Sequence, residues 1–132
     1  MTTWLAGMTI TAQRLADGLD TITTTTGLVA STGFSVTDFR GTRLGRSVVL
    51  DMYIARTGAA LTATTGNIVD TACCTVPVGW RPTNGTINGN FDDGTASGAF
   101  VVGGDGLCTL RTASSDIVTG RNLRMHISFI TT

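Results

Sequence analysis

Two stretches of the chain alternate apolar and polar residues with a period of two. In residues 46–56, Val48, Leu50, Met52 and Ile54 share one parity. In residues 122–130, Leu123, Met125, Ile127 and Phe129 alternate with Arg124, His126 and Ser128. Period two is the repeat of a β-strand with one buried and one wet face; on a helix the same residues would scatter around the axis. Composition points the same way. The 132 residues include 26 Thr and 17 Gly, which favour strands and turns, and no Lys or Glu, two of the better helix formers. Six further stretches read as strands: 20–26, 34–42, 71–76 (closed by Pro77 and Pro82), 84–91, 99–102 and 107–112. Between them stand turn signals at Gly41, Gly58, Asn84-Gly85, Asp93-Gly94 and Gly120, and at Gly103-Gly104-Asp105-Gly106, a strong hairpin signal. About eight short antiparallel strands are expected, in an all-β fold of the β-sandwich or jelly-roll type.

The first twenty residues follow a different rule. Thr11 is a helix N-cap, residues 12–17 continue as a helix, and Gly18 supplies the left-handed stop. Two turns are too short to be stable alone, so this piece must dock on something. The expected organisation is a docking segment over residues 1–19 and a β-sandwich head over residues 20–132. Trp4 lies outside the head and needs burial, which makes it, with Ile10 and Leu15, the expected docking anchor. No stretch reaches the length of a membrane span, and no charged and apolar leader is read at the start.

The charges exclude several chemistries. Without Lys there is no Walker-A lysine and no Schiff base; without Glu there is no zincin-type base. The formal net charge is zero, which argues against a nucleic-acid partner. His126 is the only imidazole, and no Ser stands in a nucleophile-elbow motif. It reads as a structural or surface residue, with an intersubunit or pH-sensitive contact as the second reading. Asn88-Gly89-Asn90-Phe91-Asp92-Asp93-Gly94 resembles a calcium loop but has Asp93 where Gly is needed and Ala99 where Glu is needed. Gly103-Gly104-Asp105-Gly106 leads into a strand, not a helix, so it is a turn and not a phosphate cradle. Asn84-Gly85-Thr86 matches a glycosylation triplet and reads as a surface turn. Cys73, Cys74 and Cys108 read as small core residues, a bridge from Cys108 being the alternative; on a regular strand Cys73 and Cys74 would face opposite ways. No catalytic residue, cofactor or metal site is expected.

Trp80, between Gly79 and Arg81-Pro82, has two readings: a loop anchor, or with Arg81 a surface or ligand contact. Nine Arg and nine Asp with no other full charge suggest forked Arg–carboxylate pairs, which in an oligomer can cross between subunits. Arg43, Arg46, Arg124 and His126 are the intersubunit candidates.

The run from Trp4 to Leu15, Trp4-Leu5-Ala6-Gly7-Met8-Thr9-Ile10-Thr11-Ala12-Gln13-Arg14-Leu15, resembles the start of many small phage tail-associated and virion proteins of high-GC bacteria. Thr75-Val76-Pro77-Val78-Gly79-Trp80-Arg81-Pro82 resembles the L-P-x-G-[YW]-R-P element of phage fibre head domains. In those domains a Gly-Asp-Gly hairpin (here Gly104-Asp105-Gly106) and a last alternating strand follow. Arg46-Ser47-Val48-Val49-Leu50 ahead of Thr57-Gly58 is similar to their central strand. The resemblance implies a homotrimeric, non-enzymatic head on the exterior of a virion, made in the host cytoplasm and attached to tail or capsid proteins by its N-terminal segment. Neither nucleic-acid binding nor membrane insertion is expected. The chain departs from long fibres in having no coiled-coil or collagen-like shaft. Two roles compete: a tail-fibre or tail-tip module that binds a host-surface glycan or protein, and a capsid decoration or head-fibre protein that clamps the shell.

Overall fold

The alternating stretches become neighbouring strands in the structure, a computed structural model that describes residues 5–9, 11–13 and 20–131. Nine strands occur in this order: β1 (Thr21–Thr24), β2 (Val29–Ala30), β3 (Phe34–Leu44), β4 (Ser47–Arg56), β5 (Asn67–Thr75), β6 (Ile87–Asp92), β7 (Ser97–Val102), β8 (Leu107–Ala113) and β9 (Asn122–Ile130). They form one sheet in the order β1-β3-β4-β9-β6-β7-β8-β5-β2, and every neighbouring pair is antiparallel. The sheet curls. Leu50, Met52 and Ile54 of β4 and Leu123, Met125 and Ile127 of β9 share one buried core with Phe100 and Val102 of β7, Cys108 and Leu110 of β8, and Cys73 and Cys74 of β5. The two parities read from the sequence are thus the inward faces of two paired strands, Leu50 opposite Ile127 and Met52 opposite Met125.

The eight expected strands are present, with shifted ends. β5 begins at Asn67 instead of Thr71, and β6 at Ile87 instead of Asn84. The ninth, β2, is only two residues long, too short for any period to show, and exists because Val29 and Ala30 pair with Thr75 and Cys74. Gly103 to Gly106 does form the β7–β8 turn, with the Gly106 N–H donating to the Gly103 carbonyl at 2.9 Å.

Two local expectations are corrected. Gly41, expected as a turn, lies inside β3 and pairs with Leu50. Cys73 and Cys74 do not face opposite ways; both are fully buried, and their sulfurs are 4.0 Å apart. Ala72 pairs with Thr109 but Cys74 pairs with Cys108, so β5 carries one extra residue there. Such a bulge breaks strict alternation and brings two successive side chains to one face. All three cysteines are free thiols. Hydrogen bonding to the Cys74 sulfur, with burial adding to it, pushes the Cys73 and Cys108 thiols above their ordinary range.

Ala12 and Gln13 have helical backbone. The rest of the helix expected over 12–17, and the anchors Trp4, Ile10 and Leu15, lie outside the described residues. No described helix is long and apolar enough to cross a membrane.

Candidate binding end and strand face

The pairing registers place many segment ends at one rim of the curled sheet. Thr21 pairs with Leu44, Leu44 with Ser47, and Ser47 with Ile130. Ile87 pairs with Val102, Val102 with Cys108, Leu107 with Thr75, and Thr75 with Val29. This rim therefore carries the β3–β4 turn, the loop from β5 to β6, the β7–β8 turn and the end of β9. The chain also enters β1 here from Asp20. Ten large apolar side chains are exposed among the described residues, and six of them (Ile22, Val29, Leu44, Val78, Leu107 and Ile130) belong to this rim.

The β5–β6 loop is held to the rim by specific bonds. The Val76 N–H donates to the Gly106 carbonyl at 2.8 Å, and the Trp80 N–H donates to the Pro77 carbonyl at 3.2 Å. The Trp80 ring lies over Gly41 of β3; a Cβ added there would meet its Cε3 at 2.8 Å. Trp80 packs against the core cluster, as a loop anchor does. Arg81 turns inward and its Nε donates to the Val76 carbonyl at 2.6 Å. Arg43 Nε donates to the Gly45 carbonyl at 3.0 Å, and its Nη1 reaches across to the Gly79 carbonyl at 2.9 Å. Between these groups opens a cleft of about 490 Å³, whose walls include Arg43, Val78, Arg81, Pro82, Gly104 and Thr131.

The structure thus brings Trp80, Arg81 and Arg43 together. Arg46 sits on the β3–β4 turn of the same rim, exposed, with its carbonyl accepting from the Thr131 N–H at 2.8 Å. Arg124 and His126 lie elsewhere, on the outer face of β9. His126 Nδ1 is 2.7 Å from Asp51 Oδ1, and the Arg124 guanidinium stands 5.8 Å from the Tyr53 ring centre. Both side chains of the His126–Asp51 pair are exposed. The pair fixes the imidazole on an open strand surface, outside the rim cleft. Pairing across β3, β4, β9 and β6 makes two rows on that face: Asp38, Tyr53, Arg124, Asp92, and beside it Arg40, Asp51, His126, Asn90.

Reasoning from sequence missed Arg56. It is buried, its Nε donates to the Ala59 carbonyl at 2.9 Å and its Nη1 to the Gly33 carbonyl at 3.3 Å, and it stands 4.6 Å from the Phe34 ring centre. The available signal was its parity: Arg56 continues the inward series of Val48, Leu50, Met52 and Ile54. Among the described residues the only Arg–Asp ion pair is Arg111–Asp70 at 2.8 Å. No group of His, Cys, Asp or Glu among them is arranged to hold a metal ion.

No protein-family model matches this chain, and no curated protein matches it.

Proposed function

We propose that the chain is a non-enzymatic structural protein on the exterior of a phage or phage-like particle. In this reading the curled sheet is a sandwich-type β head that associates as a homotrimer and is mounted by residues 1–19, as a tail-fibre or tail-tip attachment module. The observation that carries it is the polarity of the head. The chain enters β1 at the rim that also gathers six exposed apolar side chains and the Arg43–Arg81 cleft. A mounting segment delivered to the stickier end leaves the opposite end free to face outward. Clustered exposed apolar side chains, rimmed by polar groups, are the usual mark of an interaction surface.

The outer-face rows supply the second half of the reading. Asp38, Arg40, Asp51, Asp92 and Arg124 place both signs on one face, which suits a self-complementary contact in a closed ring. Deleting residues 1–18 should abolish incorporation into particles while the head keeps its β circular dichroism. Normal incorporation of the deleted chain would sink the docking role. Mass photometry of the full chain at micromolar concentration should show trimers, and monomers alone would count against the ring. Fluorescently labelled chain found on the shell of purified particles, not on the tail, would move the role to capsid decoration.

A further inference from the structure

Two arginines of the rim cleft, Arg43 and Arg81, are held by main-chain carbonyls. In both arginines the inner nitrogen is already committed: Arg81 Nε to the Val76 carbonyl and Arg43 Nε to the Gly45 carbonyl. Arg43 Nη1 is tied as well, to the Gly79 carbonyl. These main-chain bonds fix where each guanidinium points, so little side-chain freedom remains to be lost on binding. Arg43 Nη2 and both Nη atoms of Arg81 keep donors in excess of these bonds. Among the described residues no carboxylate lies within ion-pair distance of either arginine. Asp105, the acidic neighbour of Gly104 and Gly106, turns its Oδ1 to the Leu107 N–H at 3.0 Å. Gly106 supplies the space. Its φ is +82°, and a Cβ there would strike Arg81 Nε and come within 2.6 Å of the Val76 carbonyl.

We infer that this cleft binds a carboxylate presented by a partner polypeptide, an acidic side chain flanked by apolar residues. Charge complementarity selects the anion: two guanidinium groups line the cleft, and among the described residues no acidic side chain does. The surroundings select a peptide over a free ion. Val78, in the cleft wall, is 81% exposed. Ile22, paired with Arg43, is 60% exposed. A small hydrated anion gains nothing from these side chains, whereas a peptide buries them around a central charged contact. The site goes beyond the virion reading and does not rest on it, since an isolated chain would bind the peptide whether or not it is ever mounted on a particle.

The experiment uses the full chain labelled with ¹⁵N. The probe is a short capped peptide with one Asp between two leucines; its Asn counterpart and inorganic phosphate are the comparison arms. The Asp peptide should shift the Nε–H signals of Arg43 and Arg81 saturably, and the Asn peptide should bind about tenfold more weakly or worse. Arg81→Gln should weaken the Asp peptide by a similar factor. Because Arg81 also holds the loop, Val78→Asp provides a variant at an exposed position: its new carboxylate should occupy the cleft and block the peptide, while Val78→Asn, which loses only the apolar contact, should weaken binding far less. Equal binding of the Asp and Asn peptides, or unchanged binding to Val78→Asp, would overturn the proposal. Saturation by phosphate at lower concentration than by the Asp peptide would also overturn it, leaving a site for free oxyanions.

Discussion

Arg56 carries a full charge into the protein with no described carboxylate beside it. Its guanidinium is satisfied by the carbonyls of Ala59 and Gly33 and by the face of Phe34, so it ties the loop before β3 to the loop after β4. Truncation removes those bonds and the ring contact and leaves a void. Arg56→Ala should therefore cost about 2–3 kcal/mol in urea unfolding; a loss below about 0.5 kcal/mol would show that the strap is not structural. Gly41 works by absence. It is the one inward position of β3 that faces an indole, and even a methyl group there would come within 2.8 Å of Trp80 Cε3 and 3.0 Å of Thr24 Cγ2. Gly41→Ala should lift Trp80 off the strand. In a Trp4→Phe background its fluorescence should move to longer wavelength, and an unchanged spectrum would mean that the ring does not depend on this contact. Neither role was legible beforehand. Arg56 had the parity of a core residue and the chemistry of a surface one, and Gly41 read as a turn until β3 was seen to run through it to Leu44.

At the scale of elements, β4 and β9 were the most legible, because alternation is a property of a single strand and survives without knowledge of its partners. β5 shows where that stops. The extra residue between Ala72 and Cys74 is defined only against β8, and it turns two neighbouring cysteines into one buried group beside Cys108. Thiols so enclosed are shielded from solvent and from reagents. The native chain should resist a thiol-labelling reagent at pH 8, and all three cysteines should react once the chain is unfolded. Rapid labelling of the folded protein would show that β5 opens locally, or that the bulge is not formed.

At the scale of the whole molecule, the sheet is assembled from distant parts. Ser47 pairs with Ile130 and Ala55 with Asn122, while Thr75 joins both Val29 and Leu107. Closing such long loops precedes any reward from the pairs they create, so folding should take milliseconds to seconds in stopped-flow refolding; a microsecond phase accounting for the full signal would contradict this topology. The same long-range pairing builds the cleft. Arg43 was singled out for contacts between subunits and Arg81 for contact with a ligand, yet their convergence on one rim requires the β5–β6 loop to fold back against β3. By itself the sequence determined that this chain is all-β, where most of its strands lie and which parity of β4 and β9 turns inward, because the period of two and the turn residues are local. Only the tertiary structure decided the strand order, the shared rim and the pairing of two arginines into one cleft, because each depends on which distant strand supplies the next set of hydrogen bonds.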